Sequence, residues 1–198
     1  MIEPLAVAMH SMQFAAVQIG ERVAVWGAGP IGLLTLGCLK AAGAGRIWVV
    51  EPLAHRREMA LAMGADAVID PAAVDAAQEI YRDAGNRGAD CAIDCAAKEH
   101  TTNEAIRAVC NGGRVVLTGI HSACFVPFEV SPMRRKEVAI FNVRRSNDEP
   151  ERARDLLAAR LEYFAPMVTH HRPLREIAPA FGDAEHYAAG AIKTIIVP

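Results

Sequence analysis

A chain of 198 residues that is 52% hydrophobic and 22% charged can bury one substantial core and is too apolar to stay disordered. Its net charge of -2, with no basic run interleaved with aromatics, argues against nucleic acid as a partner, and its apolar stretches are broken by Gly, Lys or Arg before the ~20 residues that a membrane span requires. Five cysteines, at positions 38, 91, 95, 110 and 124, form an odd set without a C-x-x-C pair and read as reduced thiols of a cytoplasmic protein.

Apolar residues at helical spacing predict a first helix from Glu3 to about Val17, followed by a short β-branched strand from Val23 to Trp26 of the kind buried on both faces of a parallel sheet. A glycine-rich turn leads into a helix from Ile31 to Ala42 that Gly43 terminates. The alternation continues with a strand at Arg46 to Val50, a helix at Ala54 to Met63 closed by Gly64, and a strand at Ala67 to Ile69. Next come a helix around Val74 to Asp83, a strand at Asp90 to Cys95, a helix at Thr102 to Cys110 and a strand at Arg114 to Thr118. Beyond Gly119 the rhythm changes, with an extended stretch expected at His121 to Val130, a sixth strand at Val138 to Val143, a helix at Glu151 to Phe164 and a last strand at Ile192 to Val197. Strands alternating with helices imply an α/β fold, a doubly wound Rossmann sheet of about six parallel strands with helices on both faces.

The turn reads Gly27-Ala28-Gly29-Pro30-Ile31-Gly32, a G-x-G-x-x-G between a strand and a helix. Gly27 permits the tight bend, Gly29 removes the side chain that would block a pyrophosphate from the backbone, and Gly32 lets helix and strand pack closely. Pro30 suits the opening of the helix, where its missing N–H costs nothing. Glu51 ends the next strand about 20 residues on, where an acid accepts hydrogen bonds from the adenosine ribose hydroxyls and repels a 2′-phosphate. The pattern therefore points to NAD. Arg56 and Arg57 leave NADP open, since an arginine beside this carboxylate can receive the 2′-phosphate.

The segments EPLAVAMH at 3–10, GERVAVWGAGPIGLL at 20–34, MGADAVID at 63–70, NGGRVVLTGI at 111–120 and MVTHHRPL at 167–174 resemble the coenzyme-binding half of medium-chain zinc-dependent alcohol dehydrogenases. The similarity is greater to the sorbitol (polyol) and threonine dehydrogenase branch, and it spans nearly the whole chain. It implies hydride transfer between a secondary alcohol or polyol and NAD, with zinc polarising the alcohol oxygen in the intact enzyme. It implies that Thr118, Gly119 and Ile120 meet the nicotinamide carboxamide, that Asn142, Val143 and Arg144 complete the ring pocket, and that Arg145 and Lys193 lie near the coenzyme. Each of these two can equally be a plain surface charge.

Glu3 matches a glutamate beside the catalytic zinc of the polyol branch, although a carboxylate also suits a helix N-terminus without any metal. A catalytic zinc site usually takes three protein ligands, and no complete set is spaced in this chain. The family keeps the other ligands in an amino-terminal catalytic domain, so residues 1–198 read as a single dinucleotide-binding domain, with 1–18 and 165–198 at the junction to that other domain. The chain alone is then expected to be inactive. A homodimer through a sheet edge is expected, with Phe125, Val126 and Phe128 in the extended stretch at 121–130. Two other readings stay open: a free-standing NAD-binding module without turnover, and a zinc-free NADP reductase of the same superfamily.

Overall fold

A computed structural model describes residues 1–187 and 189–198. Helix α1 (Ile2–Ala15) precedes strand β1 (Arg22–Trp26), and helix α2 (Pro30–Ala42) returns antiparallel to it. Strand β2 (Arg46–Val50), helix α3 (Ala54–Ala62) and strand β3 (Ala67–Ile69) follow. Helix α4 (Ala76–Asp83), strand β4 (Ala89–Asp94), helix α5 (Thr101–Ala108) and strand β5 (Val109–Leu117) continue the alternation. Helix α6 (Val130–Arg135) leads to strand β6 (Ala139–Asn142). The six strands form one parallel sheet in the order β3-β2-β1-β4-β5-β6, the doubly wound Rossmann arrangement.

Period-two alternation divides the strand residues between two cores. Val23, Val25, Ile47, Val49, Cys91, Ile93 and Val116 pack with α1 and α2 on one face. Ala24, Trp26, Trp48, Val50, Ala92, Val115 and Leu117 pack with α4 and α5 on the other. Because both faces are covered, the central strands read as near-continuous apolar runs. Gly43 closes α2 at φ 82, donating its N–H to carbonyls of the last turn, as an αL cap requires.

The carboxyl-terminal part departs from expectation. The helix expected from Glu151 to Phe164 is broken at Arg160 into α7 (Pro150–Ala159) and α8 (Leu161–Phe164). The break lets the Phe164 ring lie so close to Gly37 of α2 that a Cβ there would sit 2.7 Å from it. The last strand is β8 (Lys193–Val197), but it does not join the main sheet. It pairs in parallel with β7 (Val168–Pro173) in a separate two-stranded sheet, bridged by helix α9 (Ile177–His186). Helix α5 stops two residues earlier than expected, and β5 begins at Val109, with a register shift before Arg114 around Gly112 at φ 70. Residues 121–129 form no strand among the described residues. They bend as a loop that Asn103 pins, its side chain donating to the Pro127 carbonyl (2.8 Å) and accepting from the Glu129 N–H (2.9 Å). Among the described residues, no helix is long and apolar enough to cross a membrane.

Candidate functional site

The carboxyl ends of the strands line up in one register row: Ile69, Val50, Trp26, Asp94, Leu117, Asn142. Neighbouring strands lie ~4.8 Å apart, so the row from β2 to β6 runs about 19 Å. The order reverses between β2-β1 and β4-β5, which is where open α/β sheets carry their ligands.

At this switch point β1 passes into the glycine turn. Gly27 adopts φ +91, donates its N–H to the Val50 carbonyl (2.7 Å), and has Ala96 so near that a Cβ would lie 3.2 Å from it. A Cβ on Gly32 would overlap the Gly27 carbonyl oxygen, so helix α2 approaches β1 more closely than any side chain allows. Gly29 is the N-cap of α2, with Pro30 in the first turn and no side-chain cap, which leaves the helix's opening N–H groups unused. A Cβ on Gly29 would meet only the Arg56 guanidinium, at 3.7 Å. Backbone N–H groups at an uncapped, accessible helix N-terminus form a cradle suited to a phosphate.

Glu51 follows β2 and is 3% exposed. Its carboxylate accepts from the Ala28 N–H (2.7 Å) and the Leu53 N–H (3.0 Å), and Arg56 Nη1 stands 4.0 Å away. The acid predicted from spacing thus also fastens the middle of the glycine turn. Arg57, by contrast, is committed to the fold: it donates to the carbonyls of Glu51 (2.8 Å) and Pro52 (2.6 Å) and pairs with Asp70 (3.0 Å).

Across the switch point, Thr118 is buried and donates its hydroxyl to Ser11 of α1 (2.9 Å), while its N–H and that of Gly119 reach the Asp94 carbonyl. A Cβ on Gly119 would press on Ala97 at 2.7 Å. Ile120 projects into solvent, Asn142 is exposed at the end of β6, and Val143 donates its N–H to Leu117. Arg145 is exposed in a left-handed turn, and Lys193 lies on β8 in the second sheet, opposite Val168. Glu3 is exposed on the first turn of α1. The turn, Glu51 and Arg56 are therefore brought together, and Thr118, Gly119, Asn142 and Val143 share the same sheet edge. Among the described residues, Glu3, Arg145 and Lys193 form no hydrogen bond or ion pair with the turn or Glu51.

Three features escaped the sequence reading. Asp94, 1% exposed, accepts from the N–H groups of Ala96 and Ala97 and from the hydroxyls of Thr101 and Thr102, so it closes the β4 end and ties it to the first residues of α5. An aspartate ending an apolar run must find donors where it is buried, and the Thr-Thr pair shortly after it is the readable sign of them. Glu149, also buried, bonds to His10 Nδ1 (2.8 Å), Gln13 Nε2 (2.6 Å) and the Asn147 N–H (2.7 Å), tying α1 to the segment that follows β6. Tyr187, far along the chain, stacks on Arg56.

Among the described residues, no three His, Cys, Asp or Glu side chains stand together as a metal-binding group. Burial pushes the thiols of Cys38, Cys91 and Cys95 up to about 12, so they stay protonated and are poor ligands. The residues present do not by themselves fit a zinc ion.

Strand order, glycine turn and buried acid together define a dinucleotide-binding domain of the Rossmann type. Residues 30–160 match the family model described as zinc-binding dehydrogenase, and the chain belongs to that family. Human (Homo sapiens) sorbitol dehydrogenase is 36% identical over 185 residues, which cover 91% of this chain and 51% of that protein. The L-threonine 3-dehydrogenase of Caldanaerobacter subterraneus is 33% identical over 178 residues, 88% of this chain and 51% of its own length. Among solved structures, a Sinorhizobium meliloti zinc-binding dehydrogenase bound to NADP superposes with a TM-score of 0.91 at 29% identity, covering 100% of this chain and 58% of that one. A short chain alcohol dehydrogenase from Escherichia coli CFT073, complexed with NADH, gives 0.91 at 25% identity over 100% and 58%. The chain spans about half the length of the curated relatives it matches.

Proposed function

We propose that this chain binds a nicotinamide dinucleotide, NAD before NADP, along the carboxyl edge of its main sheet, and that it is the coenzyme-binding part of a zinc-type dehydrogenase acting on a secondary alcohol or polyol. The observation that carries the reading is the fastening of Glu51 to the Ala28 N–H beside an unobstructed Gly29. The α2 N-terminus with Gly29 holds the pyrophosphate, and Glu51 meets the adenosine ribose with its remaining lone pairs. Thr118, Gly119 and Ile120 after β5 and Asn142 and Val143 at the end of β6 flank the nicotinamide, three and four strand spacings from β2, about 14–19 Å along the edge.

When bound, the coenzyme accepts or gives a hydride at its nicotinamide ring. The chain's own part is to hold the ring at the β5–β6 end and to exclude water there. The ligands of a zinc ion are not assembled among the described residues. Glu3, Arg145 and Lys193 remain assigned by resemblance, Glu3 to the zinc neighbourhood and the two basic residues to the coenzyme. Residues 1–18 and 165–198 are read as the junction to a catalytic domain, and the chain alone as inactive and cytoplasmic.

The homodimer reading rests on the open edge of β6 and on the exposure of Phe125, which is 92% exposed. With residues 121–129 outside any strand, β6 is the sheet edge next to them in the chain. Calorimetric titration of the chain with NADH tests the main reading: saturable binding is expected, tighter than for NADPH, and no saturation at millimolar NADH overturns it.

A further inference from the structure

Arg56 lies in the first turn of α3, and its guanidinium donates a hydrogen bond to no described residue. Its Nη1 is 4.0 Å from Glu51 Oε2, beyond hydrogen-bond range, and 3.7 Å from where a Cβ of Gly29 would be. Its buried Nε has no partner among the described residues, and the side chain is only 12% exposed. A guanidinium carries five donors that need acceptors when removed from water. The adjacent Arg57 meets that need with protein oxygens. Arg56 instead stands beside the uncapped N-terminus of α2 with its donors unspent.

Its support comes from the end of α9. The guanidinium carbon lies 4.1 Å from the centroid of the Tyr187 ring. Tyr187 caps α9 in the left-handed conformation, φ 54 and ψ 36, and so turns the chain from α9 back towards α3. Gly190 then settles against His55, where a Cβ would lie 3.8 Å from the ring. An aromatic face attracts a guanidinium through its quadrupole and leaves the N–H edges free, since those lie in the guanidinium plane. A carboxylate in the same place would consume the donors and cancel the charge.

Building on the dinucleotide reading above, we propose that Tyr187 is a positioning residue for the adenosine end of the coenzyme. Stacked beneath Arg56, it holds the guanidinium beside Glu51 and Gly29 with its donors free for a phosphate oxygen. That oxygen belongs either to the pyrophosphate or to a 2′-phosphate.

The test is calorimetric titration of the full chain with NADH and with NADPH, using Tyr187→Phe, Tyr187→Leu, Arg56→Ala and the Tyr187→Leu/Arg56→Ala double variant. Tyr187→Phe keeps the aromatic face and is expected to bind within about twofold of the parent, whereas Tyr187→Leu weakens binding about threefold to tenfold. On the Arg56→Ala background, Tyr187→Leu is expected to cost nothing more. Equal weakening towards both coenzymes assigns Arg56 to the pyrophosphate, and weakening confined to NADPH assigns it to the 2′-phosphate. If Tyr187→Leu binds like the parent, or if its loss persists undiminished without Arg56, the positioning role is overturned while the dinucleotide reading stands. A parent chain that binds neither coenzyme overturns both. Should the leucine variant fail to fold by circular dichroism, Tyr187→Met takes its place in the same cycle.

Discussion

The ends of β2 and β4 flank β1, and each carries a carboxylate almost wholly removed from water: Glu51 on one side, Asp94 on the other. A carboxylate offers about four lone-pair sites. Asp94 fills all four from its own chain, with two backbone N–H groups and two threonine hydroxyls. Glu51 fills two, and its nearest cation stays at 4.0 Å. Equal burial therefore conceals different employment: the saturated acid belongs to the fold, and the half-satisfied one has capacity left for a ligand. Counting donors separates the two where burial does not.

The largest effect is expected on the saturated side. Asp94→Ala removes the acceptor of four donors, of which the Thr101 hydroxyl has the Lys98 carbonyl to turn to (3.0 Å), and should lower stability by about 3–5 kcal/mol in urea unfolding. A loss below about 1 kcal/mol would break the claim that Asp94 organises the β4 end. Gly32→Ala forces a methyl group into the Gly27 carbonyl and disturbs the Glu51 side alone, costing about 1–3 kcal/mol. Calorimetry should show NADH binding lost with it, and a variant that binds normally would detach the turn from the site.

Glu51→Gln should cost only ~1 kcal/mol in stability while weakening NADH about tenfold and leaving NADPH unchanged or improved. A large stability loss with an unaltered NADH to NADPH ratio would make Glu51 a second Asp94 and collapse the comparison. Glu149, the third buried carboxylate among the described residues, supplies the smallest and most conditional effect. Burial pushes its pKa up, but hydrogen bonds with His10 and the Asn147 N–H outweigh that and hold it below the ordinary value. Its contribution is therefore complete above the ordinary carboxylate range and is lost as pH falls through the depressed folded value. Thermal melts on descending pH should show a shallower acid loss in Glu149→Gln than in the parent.

Local chemistry made one half of the site legible and distance hid the other. Gly27, Gly29, Gly32 and Glu51 announce themselves because each answers a backbone demand within one βαβ unit, at a spacing set by strand and helix length. The partnership of His10 with Glu149 joins residues 139 apart, and no periodicity reports it. Strand β7, Val168 to Pro173, alternates half-buried and exposed residues with two histidines and an arginine among them, so it lacks the apolar signature that marked β1 and β2. With β7 unseen, β8 had no visible partner, and the placement of Tyr187 over Arg56 was unreadable. Phe125, Val126 and Phe128 have the residue types of a strand, yet 121–129 join no sheet among the described residues, and their course is held by Asn103 in another element.

Both tryptophans of the chain, Trp26 and Trp48, are buried on the same face of neighbouring strands, and Trp26 is the residue immediately before Gly27. Their indole N–H groups are committed to Glu104 (3.0 Å) and Asp83 (2.6 Å), which fixes the orientation of both rings. Indole emission overlaps the absorption of reduced nicotinamide, and a dinucleotide laid along the sheet edge begins one residue from an indole. The molecule thus carries its own optical gauge, in which occupancy is read as lost ultraviolet emission without any label attached.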